Sequence, residues 1–257
     1  MIEVGWIKTN WRRCVESLDA LVYPWSCPLC GTGREGGSPF CPRCRGLIRA
    51  AADAEPACPR CALPTNAVVM PGRACERCAH RRSLGFDTAT ALGIYADEIR
   101  ELCLLVKHER NSWLVRHLAD LILFVRASKL TETPRDAWVV PVPLHANRRR
   151  RRGYNQAEEL ARGLATGLRL PCVSALRRVS DTPPLAELPR STREKIMRNA
   201  FSARPSRGSG LKGRFVLLVD DILTTGSTCG AAARALKAAG AARVEVVVVG
   251  RAVEVQS

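Results

Sequence analysis

Two adjacent acids, Asp220 and Asp221, stand where an apolar run meets a hydroxyl-rich turn, in the stretch VLLVDDILTTGST at 216–228. A buried strand over 215–219 is expected to stop at such a pair, because neighbouring carboxylates repel and neither is easily taken out of water. The turn behind them offers hydroxyls from Thr224, Thr225, Ser227 and Thr228, with Gly226 in the middle. A glycine there lets the backbone turn tightly, so that successive N–H groups point inward as an anion cradle at a helix start. A phosphate monoester suits that cradle. The acids can take hydrogen bonds from vicinal hydroxyls or hold Mg²⁺ through water. Phosphate beside a diol is the chemistry of a ribose 5-phosphate. The plainer alternative is an Asp cap before an ordinary Ser/Thr-rich helix start.

A second chemistry is written in cysteine. Eight of the 12 cysteines fall in four C-x-x-C pairs, Cys27/Cys30, Cys41/Cys44, Cys58/Cys61 and Cys75/Cys78. Each turn aims two thiolates at one point, and two turns complete a closed tetrahedral zinc site. The spacing predicts two structural zinc ions in a double ribbon. Sequential pairing is favoured, with an interleaved pairing left open. Disulfides or redox dithiols fit poorly, since the motif repeats four times in one short segment. Cys14, Cys103, Cys172 and Cys229 stand alone among apolar neighbours and are expected in the core.

The surrounding pattern supplies the elements that must carry these groups. Trp11, Cys14, Val15, Leu18 and Val22 recur at helical spacing before Pro24, and the two ribbons follow. After them come a strand at 88–95, helices at 97–107 and 113–127, and a strand at 138–142 leading into a basic loop. A helix over 156–166 places Ala157, Leu160, Ala161 and Leu164 on one face, with Gly167 as its C-cap. A polar segment, a strand at 215–219, a helix at 227–239 stopped by Gly240 and a strand at 244–249 complete the chain. Strands alternating with helices imply an α/β fold with a parallel sheet and ligands at the strand C-termini. Two nucleotide motifs are excluded. GSGLKG at 208–213 precedes its strand instead of following it, and TTGST lacks the lysine of a Walker A loop.

With a net charge of +16, the 257-residue chain favours polyanionic partners. Only six of the 40 basic residues are lysine, and such arginine excess also arises from base composition alone. A hydrophobic content of 46% is that of a globular protein, and no apolar stretch reaches the length of a membrane span. The N-terminus carries no uninterrupted apolar segment, so a cytoplasmic protein is expected.

The stretch VLLVDDILTTGST closely resembles the phosphoribosyl pyrophosphate (PRPP) motif of type I phosphoribosyltransferases. VPVPLHANRRRRRGYNQAEELA at 140–161, placed after a double four-cysteine ribbon, is similar to the ComF family of competence-associated phosphoribosyltransferases. Helical spacing before Pro24 and the cysteine turns mark off an N-terminal helix at 1–24 and a double zinc ribbon at 25–80, and the resemblance implies a phosphoribosyltransferase-like domain at 81–257. It also implies displacement of pyrophosphate from C1 of Mg²⁺-bound PRPP, with Asp220 and Asp221 in the catalytic position. Residues 224–228 would bind the 5-phosphate. Leu144 and His145 would lie at the diphosphate, as would Arg148 and Arg152, which match the family's R-x-x-x-R-G. A plain loop histidine is the alternative at 145, and a solvated basic face is the alternative for the other arginines.

Two positions depart from the family pattern: Leu185 stands where glutamine is expected and Ile196 where asparagine is expected. The cradle is complete, so the resemblance implies PRPP binding more strongly than turnover. Membership in a competence family also implies single-stranded DNA or competence proteins as partners. A PRPP sensor without catalysis is the third reading.

Overall fold

The computed structural model describes residues 26–33, 37–54, 57–65, 74–79, 83–179, 200–204 and 209–253. The helix expected before Pro24 lies outside these residues, as do Cys14, Leu185 and Ile196. The chain divides into two compact units, 1–50 and 51–257.

Within the first unit, Ser26 and Gly33 form an antiparallel bridge around the Cys27 turn, and Cys27 N donates to Thr32 O at 2.8 Å. Helix α1 (Pro42–Ala54) begins at the second cysteine turn. Its first position is proline, which has no N–H to leave unsatisfied there. Cys27, Cys41 and Cys44 are buried together.

In the second unit a matching bridge, Ala57 to Pro64, surrounds the Cys58 turn, and a short helix α2 (Glu76–Ala79) carries Cys78. The sheet that follows is built from β1 (Thr88–Ile94), β2 (Trp138–Pro141), β5 (Phe215–Leu223) and β6 (Arg243–Arg251). Its order is β1-β6-β5-β2, and all three pairings are parallel. A small antiparallel pair, β3 (Leu176–Arg178) with β4 (Phe201–Ala203), borders the polar segment.

Helices α3 (Asp97–Leu105), α4 (Ser112–Val125), α5 (Ala127–Leu130), α6 (Ala146–Arg152), α7 (Gln156–Leu168) and α8 (Ser227–Ala238) link the strands. The continuous apolar runs of β5 and β6 are what a sheet covered on both faces requires. Val216, Leu218, Val244, Val246 and Val248 share one core with Ala231, Ala232 and Leu236 of α8. Leu217 and Val219 alternate to the other face and are equally buried. Cutting Leu218, which has no exposed surface, back to alanine would cost about 2–5 kcal/mol.

Several expectations change. Strand β5 runs through both acids to Leu223 instead of ending at Val219. It does so because β6 continues beside it, pairing Asp220 with Val248 and Leu223 with Arg251. The basic stretch after β2 is the helix α6, capped by His145 and tied to α7 by an Arg149–Glu158 ion pair at 3.2 Å. Arginine is a good helix former, and that pairing offsets part of the repulsion. Helix α7 runs past Gly167 to Leu168, and Arg169 takes the left-handed cap with φ 57°. Gly167 serves contact instead: a Cβ there would lie 2.2 Å from Leu123 Cδ1 on α4. Cys103 and Cys229 are core residues as expected, whereas Cys172 is exposed on the short bridge to Val139 at the outer edge of β2.

Candidate functional site

The crevice is set by the connections. From β2 the chain passes through α7 and returns at Cys172, which bridges the outer side of β2 in parallel. From β5 it passes through α8 to β6, on the opposite side of β5. The two connections diverge at the β5–β2 pair, the point where an open parallel sheet leaves room for a ligand beyond its strand C-termini. Register places Pro141 opposite Val219, and Val142 N donates to Val219 O at 2.9 Å. Residues 142–147 and 224–228 therefore leave the sheet at the same end, with Asp220 and Asp221 in the last residues of β5 beside them.

Alternation along β5 separates the acids. Asp220 faces α8, where Cys229 Sγ lies 3.6 Å from its Oδ2. Asp221 N donates to Asp220 Oδ1 at 3.0 Å, and Ile222 N donates to Asp221 Oδ1 at 2.8 Å. Burial pushes the Asp220 carboxyl well above its usual value, and the Asp221 charge adds to the effect. Asp221 is on the other face, within electrostatic reach of Tyr95, Cys103 and Tyr154.

Beyond the acids the chain turns at Gly226, with φ 82° and ψ 5°, and enters α8 at Ser227. Such a φ suits glycine and strains a side-chain-bearing residue. Thr225 and Ser227 hydroxyls are 2.8 Å apart, and Ser227 N donates to Thr225 Oγ1 at 3.3 Å. The first N–H groups of a helix have no partner within it, so this turn aims donors and positive potential away from α8. Thr224 is exposed, while Thr225 is buried.

Across the crevice, His145 Nδ1 accepts from Asn147 N at 3.3 Å and so caps α6. A neutral imidazole that accepts at Nδ1 carries its proton on Nε2, as a donor. Arg152 Nη1 donates to Gln156 Oε1 at 3.2 Å. Gln156 is 3% exposed, and its Nε2 has no hydrogen-bond partner among the described residues. Asn155 caps α7 through its Oδ1 and donates from Nδ2 to Val142 O at 3.1 Å, which fastens the R-G-Y-N-Q stretch to the end of β2. Tyr154 donates its hydroxyl to Val106 O. Burial raises its phenol to about 12, opposed by Arg152 and reinforced by Asp221 and Glu109. Those charges share one neighbourhood. Arg148 is half-buried on α6, and Leu144 lies just before it.

The cysteines form two sequential groups, Cys27/Cys30/Cys41/Cys44 and Cys58/Cys61/Cys75/Cys78, with each group's sulfurs within 4.8 Å of one another. Zinc with about 2.3 Å bonds needs tetrahedral sulfurs about 3.8 Å apart. Cys30 and Cys41 stand at 3.6 Å and Cys61 and Cys75 at 3.7 Å. Backbone N–H groups of Cys44 and Cys75 donate to Cys41 Sγ at 3.4 Å and Cys58 Sγ at 3.3 Å. The donor sets fit structural zinc.

One buried residue escaped the sequence reading. Arg251, at the end of β6, donates to the carbonyls of Leu223 and Thr224 from beneath the turn. A lone arginine closing an apolar run was its only trace in the sequence. Another concavity lies at the β1 edge, but Arg126 there donates to Ala91, Leu92 and Ala52 carbonyls and closes that edge.

Fold and site together define a phosphoribosyltransferase domain joined to a double zinc ribbon. The phosphoribosyl transferase domain family matches residues 150–253, and the double zinc ribbon domain family matches 18–79. Competence protein F of Haemophilus influenzae is 34% identical over 164 residues, covering 63% of this chain and 71% of that protein. The chain belongs to the competence protein F (ComF) family. DNA utilization protein YhgH of Escherichia coli K12 is 32% identical over 59% of this chain and 66% of its own length. A solved glutamine PRPP amidotransferase from B. subtilis, complexed with ADP and GMP, aligns with a TM-score of 0.36 and 21% identity. That alignment covers 54% of this chain and 26% of the amidotransferase, a likeness too low to bear on function.

Proposed function

We propose that the chain binds Mg²⁺-bound PRPP in the crevice between β5 and β2, as a phosphoribosyltransferase-type protein serving DNA uptake or use. The observation that carries this reading is the placing of Asp220, Asp221 and the Gly226 turn at the point where the α7 and α8 connections diverge. Residues 224–228 hold the 5-phosphate through helix-start N–H groups and hydroxyls. Asp220 and Asp221 accept from the ribose hydroxyls and orient the sugar.

Leu144 and His145 line the diphosphate end. Arg148 and Arg152 neutralise charge on the leaving group, with His145 Nε2 as a further donor. Gln156 Nε2, beside Arg152, gains a partner when an oxyanion arrives. Magnesium, held through water by Asp220 and Asp221, would offset charge on the leaving diphosphate; the protein's own part is to position and to exclude water. The ribbons at 25–80 are a structural module and the domain at 81–257 is the binding body.

A second reading has its own support. Arg149 and Arg150 are exposed on α6, where a polyanion such as single-stranded DNA can reach them.

Calorimetric titration with Mg²⁺ and PRPP, with pyrophosphate release followed in the same sample, tests the proposal. Binding with release identifies a transferase, and binding without release identifies a sensor. Absence of binding refutes the PRPP site and leaves DNA as the ligand.

A further inference from the structure

The second four-cysteine site and the 224–228 turn meet through one side chain. Arg251 is 3% exposed. Its Nε donates to Cys61 O at 2.7 Å, and its Nη1 donates to Leu223 O at 2.7 Å, Thr224 O at 2.6 Å and Ala252 O at 2.6 Å. Cys61 belongs to the metal group, while Leu223 and Thr224 open the turn. A guanidinium stays charged and presents a rigid fork, so it fixes the spacing of the carbonyls it bridges. Were Cys61 O to move, a buried charge would lose an acceptor, at a cost that pulls on the remaining partners.

The chain leaving the ribbon makes a second, independent contact. Leu84 and Gly85 cross the first turn of α8 so closely that a Cβ on Gly85 would lie 2.4 Å from Gly230 O. A Cβ on Gly230 would lie 2.3 Å from Leu84 O. Phe86 then packs beneath Gly226, with Cε1 3.6 Å from where a Cβ would stand. Cys61, Phe86, Leu223, Thr225, Gly226 and Arg251 help to line a partly open space of about 10 Å³. That is room for about one water, so the turn has little slack above the ribbon.

We propose that Arg251 is a positioning residue that ties the phosphate turn to the second zinc site, so that phosphate monoester affinity depends on that site being formed. The proposal takes its ligand from the PRPP reading. Loss of zinc from Cys58, Cys61, Cys75 and Cys78 loosens the turn, and through it the grip on the 5-phosphate. The diphosphate end, built on α6 and α7, does not share this link.

The test uses zinc-loaded full-length protein as wild type, Arg251→Leu, Arg251→Lys and Cys78→Ser, well below each melting temperature. Amide hydrogen exchange over residues 223–229 is read without ligand, and calorimetry compares ribose 5-phosphate with pyrophosphate. Arg251→Leu and Cys78→Ser are expected to speed exchange in the turn by about tenfold and to weaken ribose 5-phosphate by about tenfold, or about 1.4 kcal/mol. Pyrophosphate affinity stays within about twofold, and Arg251→Lys, which keeps the charge, recovers part of both losses.

Unchanged exchange in Arg251→Leu overturns the proposal, as does an equal loss of both ligands. Should Arg251→Leu not fold, Arg251→Lys carries the same test with a smaller shift. If wild type binds neither ligand while exchange responds as expected, the PRPP reading falls and the coupling stands.

Discussion

The Cys229 thiol donates to Oδ2 of Asp220 across 3.6 Å, so the inner acid of the pair is held against the first turn of α8. Burial there drives the Asp220 carboxyl toward its protonated form, and the neighbouring Asp221 charge drives it further. In the unfolded chain the same group ionises near 3.8. Between that value and the raised one the folded state binds more protons, so this group's contribution to stability falls as pH rises. Asp220→Asn is therefore expected to melt higher than wild type near pH 8, with the gap closing toward pH 4. Thermal unfolding across that range checks it, and a gap independent of pH would contradict the assignment.

The same acids are expected to be indispensable for binding. Asp221→Asn removes a charged acceptor worth about 1.5–3 kcal/mol, or roughly ten- to a hundredfold in Mg²⁺–PRPP affinity. The double variant with Asp220→Asn should show no binding by calorimetry while its far-ultraviolet circular dichroism matches wild type. Undiminished affinity in the double variant would place the ribose elsewhere.

Gly226 offers a backbone test. A Cβ there would meet nothing nearer than Phe86 at 3.6 Å, so strain and not crowding is the obstacle. Holding alanine at φ 82° costs roughly 1–2 kcal/mol. Urea unfolding of Gly226→Ala should show that loss with an unchanged slope, together with weaker ribose 5-phosphate binding.

The arginine helix should divide by position. Arg152→Ala and Arg148→Ala are expected to weaken pyrophosphate by about tenfold each and to spare ribose 5-phosphate. Arg149→Ala and Arg150→Ala, on the exposed face, should together flatten the salt dependence of single-stranded DNA binding by about 1.4 units of log–log slope. A protein that binds no single-stranded DNA even at low salt would remove the second reading.

Zinc is open to direct measurement. Elemental analysis should return two zinc ions per chain, one for each group of four cysteines. A strong chelator is expected to lower the thermal transition, because metal binding and folding of such modules are one equilibrium. A metal-free preparation with the wild-type transition would contradict the ribbon assignment.

Local spacing determined a good deal by itself. Four C-x-x-C turns specified two zinc sites, and only their sequential grouping awaited the fold. Unbroken apolar runs specified buried parallel strands, and the phosphate turn was legible because its glycine and hydroxyls are contiguous. What the spacing could not carry was any relationship between distant segments. The run of β5 through its two acids depends on β6, a strand reached only after α8. The arginine stretch is a helix partly because Glu158 of the next helix answers Arg149. Arg251 reads as a surface charge until folding brings Cys61, 190 positions earlier, to its Nε. Side-chain chemistry and short-range turn geometry belong to neighbouring residues, so the sequence determines them. Partners for a buried strand end or a buried charge are chosen by the packing of the whole sheet, so only the tertiary structure decides them.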